Sequence, residues 1–79
     1  MKVQVMIRLK EGVLDVQGKA VERGISGLGF SDISNVRVGK LIEMEVKASG
    51  RAQVQEEVEK ICSKLLANTV IENFEIRVL

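Results

Sequence analysis

Four runs in which apolar and polar residues alternate, two amphipathic runs with helical spacing, and their order along the chain (strand, helix, strand, strand, helix, strand) predict an α+β fold. The arrangement is that of a ferredoxin-like βαββαβ sandwich, with two helices on one face of a four-stranded antiparallel sheet. The chain has 79 residues, so residues 1–79 are read as a single domain, because a second would be too small to bury a core.

The first strand is "KVQVMIRLK": Val3, Val5, Ile7 and Leu9 share one face and Lys2, Gln4, Met6 and Arg8 the other. In "DVQGKAVERGISGLG", Val21, Ile25 and Leu28 recur at spacings of four and three behind Asp15, a residue suited to capping a helix N-terminus. Gly24 and Gly27 each weaken that helix by roughly 1 kcal/mol relative to alanine, unless they allow close packing on the sheet. "VRVGKLIEMEV" then reads as two strands joined by a tight hairpin at Gly39 and Lys40. Val36 and Val38 lie before the turn, Ile42, Met44 and Val46 after it, and glycine would supply a positive φ. In "SGRAQVQEEVEKICSKLLAN", Val54, Val58, Ile61, Cys62 and Leu65 form one stripe of a second helix, which Asn68 would end in a left-handed conformation. "ENFEIRVL" supplies the fourth strand, with Phe74, Ile76 and Val78 inward.

The free sheet face of this sandwich would carry Lys2, Gln4, Met6, Arg8, Arg37, Glu43, Glu45, Glu75 and Arg77. Such mixed charge forms either solvated cross-strand pairs or a partner surface. Composition narrows the chemistry. Twelve basic and eleven acidic residues leave a net charge of +1, too weak a field to gather nucleic acid or anionic lipid. One cysteine and no histidine exclude a disulfide within the chain and the usual zinc sites. No apolar run reaches the roughly eighteen residues of a membrane span and no signal-like segment follows Met1, so a soluble, cytoplasmic protein is expected. So small a core, with two sheet edges to cover, favours a homodimer or a tetramer built from it.

The candidate catalytic motifs are poor. "GISGLG" matches neither the dinucleotide nor the GxxxxGK(S/T) phosphate loop, and "GISG" carries no basic residue with which to clamp RNA. "VQG" resembles an acylphosphatase anion loop, but Glu22 stands where a phosphate-binding arginine is needed. Cys62 sits on an apolar stripe without a histidine to activate it, and Glu43 with Glu45 has no sign of a pocket. No catalytic, cofactor-binding or metal-ligating residue is assigned.

"DVQG", "VRVGK" and "CSKLLANTVIE", in this order around these elements, resemble the small PurS-type subunit of phosphoribosylformylglycinamidine synthase, also called formylglycinamide ribonucleotide amidotransferase. The resemblance spans essentially the whole chain. Its motif residues are Asp15, Gly18, Gly39, Lys40, Leu65, Leu66, Asn68 and Glu72, with Cys62, Ala67, Val70 and Ile71 also in the family's order. The chain departs from the family at Val16 and Thr69, where proline is common.

The resemblance implies a non-catalytic subunit of a purine-biosynthesis ligase. It would bridge a glutaminase that releases ammonia and an ATP-dependent synthetase that installs it on formylglycinamide ribonucleotide, and assist ammonia transfer between them. ATP, magnesium and glutamine would be bound by the partner subunits and no cofactor by this chain. Arg37, Lys40 and Glu43 are the candidate partner contacts, presented on the expected hairpin. The competing readings are an ACT-like small-molecule regulatory module and a nucleic-acid-binding module, both compatible with the topology.

Overall fold

The computed structural model describes residues 1–48 and 50–79. In chain order the elements are β1 (Lys2–Leu9), α1 (Val16–Gly27), β2 (Lys40–Glu45), α2 (Arg51–Ile61), a π-helical turn (Cys62–Leu66) and β3 (Glu72–Val78). The strands form one antiparallel sheet in the order β2-β1-β3, so the most regular alternating run in the sequence takes the centre. Opposite Val5 lie Ile42 on β2 and Ile76 on β3; opposite Val3 lie Met44 and Val78. These rows make the inner face, because residues two apart on a strand point the same way.

The core lies between that face and α2. Val3, Val5, Ile7, Val54, Val58 and Cys62 are essentially fully buried, and Phe74, Ile76, Val78, Ile42 and Met44 pack around them. Each buried valine or isoleucine contributes about 1.5–3 kcal/mol through area removed from water. The strand faces and the buried cysteine follow the sequence reading. The predicted second helix begins at Ser49, which lies outside the described residues.

Three expectations are corrected. The sheet has three strands among the described residues, not four. Val36 and Val38 never join the ladder, because their amides are taken by carboxylates: Val36 N–H donates to Glu22 Oε1 at 3.1 Å and Val38 N–H to Asp15 Oδ2 at 2.7 Å. With no strand before it there is no hairpin at Gly39 and Lys40; Lys40 opens β2 itself. Gly39 is not in the positive-φ region, which Gly12, Gly29 and Asn35 occupy. It serves close approach: a Cβ there would stand 2.7 Å from the Ile7 carbonyl oxygen.

The second correction concerns α1, which does not cover the sheet. Its only buried residue is Gly18, and Val21 and Leu28 of the expected inner stripe are 46% and 77% exposed. Gly24 and Gly27 have open space where a Cβ would go, so they do not mark helix-on-sheet packing. The molecule is accordingly drawn out, 50 × 25 × 15 Å.

The third correction lies at the end of α2. Ala67 N–H donates to the Cys62 carbonyl, five residues back, at 2.9 Å. This wider turn rotates the stripe, leaving Leu65 80% exposed and bringing Ala67 into the core. Asn68 does not close the helix in a left-handed conformation; Ala67 turns extended at φ −123° and ψ 140°. Asn68 acts one step later. Its N–H donates to Glu72 Oε1 at 2.6 Å, its carbonyl accepts from Glu72 N–H at 2.8 Å, and its side-chain oxygen accepts from Val70 N–H at 3.2 Å.

Candidate partner interface

The motif residues converge on the end of the domain where β1 finishes and β2 and β3 begin. Asp15 organises one side. Its backbone is extended at φ −104° and ψ 94°, which frees the carboxylate to cap α1: Oδ1 accepts from Gly18 N–H at 2.8 Å. Oδ2 accepts from Val38 N–H, tying the helix to the 36–39 segment. These two amides, the Val38 bond first, hold the Asp15 carboxyl below its ordinary range, with a smaller contribution from the Arg37 guanidinium. Gly18 is required by the same contact, since a Cβ there would run into the Val36 carbonyl oxygen and stand 2.7 Å from Asp15 Oδ2.

Glu72 organises the other side. Beyond its exchange with Asn68, its Oε2 lies 3.8 Å from Lys40 Nζ. Register explains the meeting: Lys40 is opposite Ile7 and Glu72 opposite Leu9, which puts both on the inner face just past the row that α2 covers. An otherwise apolar face therefore ends in a charged pair. A cleft of about 280 Å³ lies there, lined among others by Asp15, Gln17, Gly39, Lys40 and Glu72.

A larger groove of about 790 Å³ adjoins it, sharing Leu9, Val38 and Gly39, and is flanked by Arg8, Glu11, Asn35 and Arg37. Arg37 is steadied there: one Nη donates to the Lys10 carbonyl at 3.2 Å and Nε lies 3.9 Å from Asp15 Oδ2. Arg8 reaches the groove from the outer face of β1.

The three candidate contacts thus separate. Arg37 and Lys40 stand at the same end of the domain, whereas Glu43 points from the outer face of β2, where Gln4 donates to it at 3.1 Å and Lys2 lies at 3.5 Å. The Gln4 bond, then the Lys2 charge, lower the Glu43 carboxyl's pKa. Of the other motif residues, Leu66 is half-buried against the core, while Leu65 is exposed on the π-helical turn. Burial raises the pKa of Cys62, as does Glu59 nearby, which favours the thiol over the thiolate. Sequence reasoning placed Arg8 only among the residues of the free sheet face, weighed Glu22 only against an anion loop, and gave Asn35 no role. Glu22 carried a usable signal, because a carboxylate one helical turn after Asp15–Gly18 lies on the side that meets the 36–39 segment.

The family model described as PurS, phosphoribosylformylglycinamidine (FGAM) synthase, matches residues 2–79. The PurS subunit of Methanocaldococcus jannaschii is 42% identical over 77 residues, covering 98% of this chain and 93% of that protein. Among solved structures, the Thermotoga maritima PurS subunit superposes with a TM-score of 0.90 at 32% identity, over 99% of this chain and 90% of its own. A structure of PurLQS from the same organism contains a chain that superposes at 0.89, again at 32% identity, over 99% of this chain and 95% of that one. The family match over residues 2–79, the superposition and the similarity along the full chain agree, and this chain belongs to the PurS family of phosphoribosylformylglycinamidine synthase subunits, in purine biosynthesis.

Proposed function

We propose that the chain is the non-catalytic small subunit of its synthase, joining the glutaminase to the ATP-dependent synthetase and assisting ammonia transfer between them in the cytoplasm. The observation that carries this reading is the superposition on a chain of the T. maritima PurLQS structure, which leaves almost none of either chain unmatched. ATP, magnesium and glutamine belong to the partner subunits in this scheme. Arg37 and Lys40 are the contacts at the clefted end, and Glu43 serves a separate contact on the outer face.

The chain also works as a homodimer, with a tetramer formed by pairing of dimers. β2 and β3 are the edge strands of the sheet and the stripe of α1 is largely exposed, two surfaces that a second copy covers in this reading. Charge and apolar surface are divided accordingly: the clefted end faces other subunits and α1 faces a second copy.

The decisive experiment compares glutamine-driven with ammonia-driven synthesis, with and without this chain. Omission should abolish most glutamine-driven turnover, while a high concentration of external ammonia sustains the synthetase. Equal loss of both rates would show instead that the chain supports the synthetase active site.

A further inference from the structure

Along the outer face of the sheet, the cations of β1 are met by acids except at one position. Lys2 has Glu45 opposite and Glu43 3.5 Å away. Arg8 has Asn73 opposite it on β3, and on its other side β2 has already ended, leaving Gly39. The stem of Arg8 passes over that glycine, its Cγ 3.4 Å from where a Cβ would stand, and its guanidinium has a single partner among the described residues, the Met6 sulfur at 4.0 Å. Arg37 faces the same groove with its side chain 44% exposed. Its nearest carboxylate, Asp15, is already occupied by two backbone amides. Glu11 is the one acid on the rim. Two arginines thus line one concave surface with their forks of donors incompletely used, an arrangement suited to a planar carboxylate, which accepts two parallel N–H bonds.

We propose that the groove between Arg8 and Arg37 receives an acidic side chain of a partner subunit of the synthase, Arg8 supplying the free guanidinium and Arg37 the pre-positioned one. The proposal rests on the bridging reading and gives one contact its chemistry. Arg37 is anchored by Lys10 and Asp15 before the partner arrives, so less freedom is lost on docking. Gly39 keeps the groove open by letting the Arg8 stem lie flat.

The test measures association of the purified chain with its cognate synthetase and glutaminase, using wild type, Arg8→Glu, Arg37→Glu, Arg8→Lys and the distant control Lys60→Glu. Each arginine reversal should weaken association about tenfold or more, Arg8→Lys should weaken it less, and Lys60→Glu should leave it unchanged. Wild-type association should weaken with added salt. Arg8→Glu is the cleaner variant, since Arg8 holds no backbone group, and unchanged thermal melting would show that it folds. Titration with sodium phosphate and with glutarate, followed by NMR of the guanidinium signals, separates the possible sources of the oxyanion. Glutarate that shifts both arginines and competes with assembly supports the proposal. Phosphate binding with assembly indifferent to both reversals overturns it, as does equal loss from Lys60→Glu. Failure of the wild-type chain to associate would overturn the bridging reading and this proposal together, whereas a wild-type complex indifferent to Arg8→Glu and Arg37→Glu would overturn this proposal alone.

Discussion

Asp15 does two tasks with one carboxylate, and both depend on its charge. Because the folded state holds its pKa below the ordinary 3.8, the stability it supplies is fully present above that value and is lost as pH falls through the lower, folded one. Asp15→Asn should therefore melt at a lower temperature than wild type at neutral pH. The gap should narrow as pH drops below about 4, where protonation weakens the wild-type bonds too. Parallel melting curves from pH 7 to strongly acidic buffer check this; a constant gap would separate the contact from ionisation. Cys62 is the opposite case, a buried thiol with a raised pKa and no polar task. Cys62→Ser should destabilise the fold by about 1–3 kcal/mol, measured by urea unfolding, because its hydroxyl lacks a full set of partners. Turnover in the assembled enzyme should persist. Asp15 as a helix cap and Cys62 as a core residue were legible because both signals are local. The second partner of Asp15, Val38 N–H, was not, since it comes from 23 residues further along the chain.

Among the elements, alternation read β1, β2 and β3 correctly and misread Val36–Val38. Two valines around an arginine fit a strand by pattern alone, and pattern says nothing about where the backbone amides find acceptors. Here they find the carboxylates of Asp15 and Glu22, and the segment stays outside the sheet. The π-helical turn was hidden for a related reason, because the 3.6-residue stripe continues through Leu65 in sequence while one wide bond, Ala67 to Cys62, rotates it in space. The junction after that turn is held by the Asn68–Glu72 exchange. Glu72→Ala should lower stability by about 1–2 kcal/mol, as Asn68 N–H loses its acceptor. Hydrogen exchange at the Asn68 amide should quicken while β1 amides stay protected; uniform quickening would mean that the clasp is part of global unfolding.

For the molecule as a whole, the sequence correctly predicted an α+β fold with two helices and an antiparallel sheet. It could not say which helix would be left standing out, because the stripes of α1 and α2 look equally suited to a sheet. Burial decides: Val54 and Val58 are fully enclosed, whereas Val21 and Leu28 are largely in water. Val21→Asp should therefore alter the stability of the isolated subunit by no more than about 0.5 kcal/mol, as at most exposed positions. It should nevertheless shift the mass seen by light scattering at micromolar concentration from dimer or tetramer toward monomer. A wild-type monomer would overturn self-association altogether, and a mutant dimer of unchanged affinity would place the self-contact elsewhere.

The attachment of α1 has a mechanical consequence. The helix has 12 residues, hence a length of about 18 Å, and is fastened only over its N-terminal part, by Asp15, by the contact of Gly18 with Val36 and by Glu22, whose Oε1 accepts from Val36 N–H. It is a cantilever. A tilt of about 10° at the root would carry its tip about 3 Å, enough to take an apolar stripe out of register with whatever receives it. The bonds of Asp15 and Glu22 to one short segment thus set an alignment felt near Leu28, and damage to Asp15 or Gly18 should register as faulty docking far from either residue, even where the sheet and its core remain intact.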